Sequence, residues 1–197
     1  KRGASLIVWA IAEGRKMVTA ARRYNRVTQV GIHRRSVPVC REAAEFVRNG
    51  GLGKVTVARA FHIQNEWPLG ISNAPNTEPP PDLDWEAWLG PAPKRPFNPR
   101  HYDFYFYYFW DYSGGIATDL MYHLIAPLTI ALGVSAPERA CAGGGIFVQH
   151  DDREVPDTWV ATYEFEELGR TVTFTGSMNT TANQPVEICG RDATLRF

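Results

Sequence analysis

The period of the hydrophobic pattern changes near Gly53, and this change constrains the fold more than any other feature of the sequence. Before Gly53, apolar residues recur at helical spacing over 4–24 and 38–48. The glycines between 50 and 53 end the second helix rather than bind phosphate. After Gly53 the apolar residues mostly alternate, as is typical of strands. The predicted strands are 27–32, which follows the first helix, and then 54–65, 138–148, 158–165, 171–177, 186–189 and 194–197.

The order of these elements indicates an α/β (α+β) chain with an open mixed, mainly antiparallel sheet. The strands beyond 138 are separated by short turns such as 167–169, and a meander of this kind forms antiparallel pairs. The helix 4–24 leads into strand 27–32 through a short polar turn, which is the αβ step of a parallel sheet. The strands 158–165 and 171–177 carry apolar or β-branched residues at both alternations, which predicts a homo-oligomer formed through the open sheet.

The composition is that of a soluble globular protein, with 44% hydrophobic and 21% charged residues and a net charge of zero. The charge balance gives no indication of a nucleic-acid partner. No apolar run reaches the roughly 20 residues that span a bilayer, so we expect no membrane partner. The three cysteines, Cys40, Cys141 and Cys189, are far apart and are interpreted as structural thiols rather than a disulfide framework.

A proline-rich stretch, 67–100, has no regular pattern, and a loop of this length is usually functional or disordered. Trp85 and Trp88 favour an ordered loop, because burial of an indole ring stabilises the fold. An aromatic run, 105–112, follows the loop and leads to the Gly114-Gly115 turn. We expect the run to form part of the wall of a cleft.

Asp119 and His123 are the main candidates for chemistry. We predict a helix over 118–132 with Thr118 as its N-cap, which places the carboxylate and the imidazole on one face. Such a pair can transfer a proton, although it can also be only a capping or surface interaction. The same spacing occurs in metal sites, but no third ligand is near in sequence, so we predict no metal.

In these residues the chain resembles the Gfo/Idh/MocA family, the glucose–fructose oxidoreductase and inositol dehydrogenase group of nicotinamide-dependent enzymes. The matching segments are 12–18, 29–31 with 34–35, 50–55, 84–85, 88–93, 109–115 with 119 and 123, and 155–158. The resemblance implies that 1–33 is the C-terminal end of a dinucleotide-binding Rossmann domain. It also implies that 34–197 belongs to the α/β domain for substrate and oligomerisation.

The resemblance further implies roles for individual residues. His123 would be the acid–base catalyst, Asp119 its partner one turn earlier, and Lys1 the remaining equivalent of the family's catalytic lysine. NAD or NADP would be the cofactor of the intact protein, and a small carbohydrate its substrate. The glycine-rich fingerprint for the cofactor is missing, because Gly143–Gly145 lies between strand residues and opens no helix. We therefore expect this chain alone to be inactive.

Four further residues are predicted to bind substrate: His33, Arg34, Trp110 and Tyr112. The first two follow the strand that would approach the cofactor–substrate cleft, and the other two are aromatic side chains before the catalytic helix. Family members occur in cytoplasm and periplasm, so the resemblance allows either compartment.

Three functions are compatible with these observations. The first is an NAD(P)-dependent oxidoreductase acting on a sugar, polyol or related hydroxyl. The second is an NAD-dependent glycosidase, because 65–70 and the prolines 79–81 resemble that branch of the family. The third is a non-catalytic sheet domain that only assembles with partners.

Overall fold

The computed structural model describes residues 11–102, 104–182 and 184–197. The helices are α1 (Ile11–Arg23), α2 (Pro38–Arg48), α3 (Trp85–Leu89), α4 (Pro99–Tyr102) and α5 (Tyr122–Leu132). Short 3-10 turns occupy His33–Ser36, Phe104–Tyr108 and Gly115–Ala117. The strands are β1 (Val55–Ile63), β2 (Arg139–Gly145), β3 (Thr158–Phe165), β4 (Arg170–Ser177), β5 (Glu187–Gly190) and β6 (Thr194–Arg196).

The six strands form one open sheet in the order β2-β3-β4-β1-β5-β6. Strands β1 and β4 are parallel, with Val57 opposite Thr171, and the other neighbours are antiparallel. The prediction of an open mixed, mainly antiparallel sheet is therefore confirmed.

One face of the sheet carries the main core. Alternate residues of each strand point to this inner face, among them Ala58 and Ala60 of β1 and Ala161 of β3, all buried. Helices α2 and α5 pack on them with Ala44 and Leu128, which are also buried. The apolar faces that the sequence predicted for the helices and for the strands therefore pack together in one core.

The predicted strand 27–32 does not form. Val27 is fully exposed at 100% and Val30 is 76% exposed. A strand needs a neighbour to take up its backbone hydrogen bonds, and no described strand lies beside this segment. The first helix is described from Ile11, so its predicted start at 4–10 lies outside the described residues.

The helix predicted from Thr118 begins four residues later, at Tyr122. The intervening chain turns because Gly115 adopts a φ of +66° and its carbonyl accepts the N–H groups of Thr118 and Asp119. The Thr118 hydroxyl accepts the N–H of Gly114 at 2.8 Å, so it closes this turn rather than capping α5. Thr118 was therefore wrongly predicted as the N-cap.

The proline-rich stretch 67–100 is ordered, as Trp85 and Trp88 predicted. Asp84 caps α3 by accepting the N–H of Ala87 at 2.9 Å. The indole rings of Trp85 and Trp88 stack with centroids 5.0 Å apart, and the Trp85 Nε1–H donates to the carbonyl of Arg95 at 2.8 Å. The Trp88 ring also lies against Phe106 and Tyr112, with ring centroids 6.2 and 5.1 Å away, and so holds the loop against the aromatic run.

Residues 115–132 form the one described stretch that is apolar and long enough, at 18 residues, to cross a membrane by length and composition. Leu128, Ala131 and Leu132 of this stretch are buried in the main core. Core helices of soluble proteins have the same composition, so this observation alone does not indicate a membrane span.

Candidate active site

His123 lies in the first turn of α5. The 3-10 turn at 33–36 packs on this end of the helix, and the rings of His33 and His123 have centroids 4.7 Å apart. The Tyr122 ring lies against His123 with a centroid distance of 4.1 Å. Two of the predicted site residues, His33 and His123, are therefore in contact.

His62, at the end of β1, is the third histidine of this cluster. It shares the inner face of the sheet with Ala58 and Ala60, and its neighbour across the parallel pair is Gly176. A Cβ at Gly176 would lie 2.5 Å from the ring of Trp159, so the missing side chain leaves room for the indole beside His62. The fold thus directs His62 toward the start of α5.

The pKa values of His123 and His62 are both lowered in this cluster. Burial lowers the pKa of His123, and the nearby His33 and Arg34 lower it further, while Asp119 opposes them. Burial also lowers the pKa of His62, against a hydrogen bond with Gln64, and His123 and Arg34 add to the lowering. Both imidazoles are consequently neutral near pH 7 and able to accept a proton.

Asp119 stands in the turn before α5 rather than on the helix. Burial raises the pKa of its carboxyl, and His123 opposes this shift. No ion pair joins these two side chains in the described part of the chain, so they interact through space. Tyr107 of the aromatic run lies within electrostatic reach of the same carboxylate. Burial raises the pKa of Tyr107 to about 12, with Glu66 and Asp119 contributing.

Two ring nitrogens of the cluster are buried without a hydrogen-bond partner among the described residues: Nε2 of His62 and Nδ1 of His123. A buried polar atom without a partner is costly, at about 1–3 kcal/mol, and such atoms tend to occur where a ligand supplies the partner. The two nitrogens therefore make this end of α5 a candidate site for a polar molecule.

A buried ionic network holds the chain segment that follows β1 and His62. The Arg153 side chain is fully buried and donates to Glu66 at 2.9 Å and to Asp151 at 2.8 Å. Burial would raise the pKa of Asp151, but hydrogen bonds from Arg153 and from the Ile71 N–H outweigh it and lower the pKa. The Tyr108 hydroxyl also donates to Glu66. The network fixes the segment after β1, which carries Gln64 and Glu66.

The structure divides the predicted substrate-binding residues into two groups. His33 and Arg34 lie at His123. Trp110 is 59% exposed and lines a different cavity of about 480 Å³, between α5 and the edge strand β2. Tyr112 packs on Trp88 with ring centroids 5.1 Å apart. Lys1 lies outside the described residues.

His62 is the member of the site that the sequence prediction omitted, whereas Tyr107 belongs to the aromatic run 105–112 that was expected to form part of the wall of the cleft. The signal for His62 was present, because the alternation of β1 places it on the same face as Ala58 and Ala60. No alternation pattern could single out Tyr107 within the aromatic run, because this part of the run folds as a 3-10 turn and not as a strand.

The described residues contain no group of three or more His, Cys, Asp or Glu side chains placed to hold a metal ion. They also contain no strand, glycine-rich turn and helix in the order that binds a dinucleotide pyrophosphate.

An open mixed sheet with helices on its inner face places the chain among α/β domains. The family model for the oxidoreductase family C-terminal alpha/beta domain, of the Gfo/Idh/MocA group, matches residues 40–184. The chain belongs to this family.

Solved structures support the fold. GenD2 from gentamicin A biosynthesis, in complex with NAD, superposes with a TM-score of 0.65 at 18% identity, covering 96% of this chain and 45% of its own. The WlbA dehydrogenase from Bordetella pertussis, in complex with NADH and UDP-GlcNAcA, superposes with a TM-score of 0.64 at 17% identity. The match covers 94% of this chain and 48% of WlbA. An oxidoreductase from Thermotoga maritima superposes with a TM-score of 0.65 at 16% identity, and the match covers 95% of this chain and 48% of that oxidoreductase.

The chain thus spans about half the length of these solved structures. Among curated protein sequences, none matches it significantly. At these identities the superpositions establish the fold alone.

Proposed function

We propose that the protein is an NAD(P)-dependent oxidoreductase that oxidises a hydroxyl of a sugar, polyol or related carbohydrate. The observation that carries the proposal is the half-buried imidazole of His123, whose pKa is lowered and whose Nδ1 lacks a partner among the described residues. A neutral imidazole with a nitrogen that lacks a described partner is suited to take a proton from a substrate hydroxyl.

The chain's own residues would act as follows. His123 accepts the proton of the substrate hydroxyl as the hydride leaves the carbon that bears this hydroxyl. Asp119 stabilises the imidazolium that forms, because its charge raises the pKa of His123. His33 packs on the His123 ring and limits its rotation. When bound, the nicotinamide supplies the hydride acceptor.

The cofactor and the domain division belong to the same proposal. Segment 1–33 would be the end of a dinucleotide-binding domain, and 34–197 the substrate domain. Met17 and Val18 of α1 are 38% and 50% exposed, which suits a helix that packs on another domain. The solved relatives that contain NAD or NADH favour this cofactor type without deciding between NAD and NADP.

The test is turnover by the complete protein, incubated with NAD or NADP and a panel of free sugars and polyols. We expect His123→Ala to lower kcat by about 10²–10⁴-fold, because it removes the proton acceptor. Asp119→Asn should lower kcat less, since it only orients and polarises. His150→Ala is the matched control, because His150 is exposed and outside the cluster. Unchanged turnover by His123→Ala would contradict the mechanism.

The same assay separates the alternatives. Hydrolysis of aryl glycosides by the NAD-loaded protein would favour the glycosidase, whose resemblance lies in the segment after β1. Absence of turnover with every sugar, polyol and glycoside would favour the non-catalytic sheet domain.

A further inference from the structure

The cluster at the start of α5 contains more basic than acidic groups. The imidazoles of His33, His62 and His123 and the guanidinium of Arg34 lie within electrostatic reach of one another. Asp119 is the carboxylate that acts on His123. The guanidinium of Arg34 carries a positive charge beside these imidazoles, and a bound counter-charge would stabilise such a site.

Arg34 has no compensating partner in the described part of the chain. It takes part in none of the ion pairs found there. Glu66 acts on His62, but its carboxylate is already hydrogen-bonded to Arg153 and Tyr108. The network behind the site therefore leaves the charge of Arg34 available to a ligand.

We propose that this cluster binds an anionic group of the substrate, a carboxylate or a phosphate, through the Arg34 guanidinium and the Nε2 of His62. The inference rests on the proposed function, because it names the class of substrate that the site accepts. The substrate is then a sugar acid or a sugar phosphate, with the anionic group close to the hydroxyl that is oxidised.

The geometry explains how the two side chains cooperate. Gln64 lies near the His62 ring and favours its protonated form, whereas Nε2 of His62 is buried without a described partner. A bound anion supplies the negative charge that favours protonation of His62, whose Nε2–H then donates to it. Arg34 provides a planar pair of donors that matches carboxylate and phosphate oxygens. The anion also offsets the repulsion that His123 receives from its basic neighbours.

The experiment is a histidine NMR titration of the complete, cofactor-loaded protein with acetate, inorganic phosphate, D-glucuronate and, as the neutral probe, D-glucose. The anions should raise the apparent pKa values of His62 and His123 more than D-glucose does. Arg34→Gln should weaken anion binding about 10-fold or more, because a charge-assisted hydrogen bond is lost. Arg35→Gln, on the same 3-10 turn, is the matched control and should bind as the wild type does. Stronger binding of phosphate than of acetate and D-glucuronate would assign a sugar phosphate, and the reverse a sugar acid.

The proposal is wrong if no anion shifts either histidine more than D-glucose does, or if Arg34→Gln binds the anions as tightly as the wild type. Oxidation of neutral sugars alone would leave the proposed function intact and overturn the anion site. Anion binding that depends on Arg34, in a protein that oxidises no hydroxyl, would uphold the anion site and overturn the proposed function.

Discussion

At the scale of single residues, His101 shows how packing sets protonation outside the site. Its ring stacks on Phe109 with centroids 3.8 Å apart, and Arg95 Nη1 donates to His101 Nδ1 at 3.1 Å. Burial lowers the pKa of His101 to about 4, and the Arg95 charge adds to the lowering. The native structure therefore holds this imidazole neutral.

The lowered pKa of His101 predicts a loss of stability in mild acid. In the unfolded chain His101 takes up a proton near its ordinary pKa of about 6.5, whereas the folded protein resists protonation down to about 4. The unfolded state therefore binds more protons in this window, and the free energy of unfolding falls as the pH drops through it. His101→Asn should flatten the dependence of Tm on pH between about 4 and 6.5.

Thermal unfolding at a series of pH values, with His150→Asn as control, checks this prediction. An identical pH dependence in the wild type and His101→Asn would show that other groups dominate. The sequence prediction assigned His101 to no element and no role, because Phe109 and Arg95 come together with it only through packing. His62 was predictable in principle, since strand alternation alone sets its face.

At the scale of elements, the turn at Gly115 positions the acid of the site. Gly115 has a φ of +66°, and a Cβ there would lie 2.6 Å from Cγ2 of the buried Val155. Its carbonyl accepts the N–H of Asp119 at 2.9 Å. The absence of a side chain at Gly115 therefore decides where the carboxylate stands.

Gly115→Ala should destabilise the protein by about 1–3 kcal/mol through the left-handed backbone alone, with the clash against Val155 adding to it. Gly133→Ala is the matched control, because Gly133 has the same φ of +66° and a Cβ added there would meet no atom within 4 Å. The free energies of unfolding of both variants, measured in urea, separate the backbone strain that they share from the clash with Val155 that only Gly115→Ala has. Equal losses of stability would mean that the Val155 contact is unimportant.

The strands show which parts of the fold are predictable from sequence. Strand β3 was predicted at its observed bounds, because Trp159, Ala161 and Phe165 alternate onto the inner face. Segment 27–32 has a comparable strand-like composition and forms no strand. Alternation describes one chain segment, whereas a strand also requires a neighbour that no local pattern specifies. The start of α5 was missed for a related reason, since the packing of Val155 on Gly115 is a long-range contact.

At the scale of the whole molecule, the outer face of the sheet remains uncovered by the described helices. Phe61, Val160 and Thr175 are neighbours across β1, β3 and β4 on this face, and Val160 is 47% exposed. An apolar, β-branched surface of this kind favours association with an identical surface. We therefore expect a homo-oligomer that packs sheet against sheet.

Sedimentation of the complete protein at micromolar concentration checks this expectation, with Val160→Lys predicted to shift the population toward monomers. Leu168→Lys is the control, because Leu168 is exposed in the turn between β3 and β4 and away from the sheet face. A monomeric wild type, or an oligomer unaffected by Val160→Lys, would contradict the arrangement.

The parallel pairing of β1 with β4 has a consequence for folding. Val57 lies opposite Thr171, and the chain between them contains Tyr107, Asp119 and His123. Contacts between residues so distant in sequence form slowly, because the intervening chain must first be closed into a loop. His62 reaches His123 only when β1 and α5 pack on the same sheet. We therefore expect the histidine cluster to form only as the sheet is completed, and a chain that has not yet paired these strands to lack the cluster.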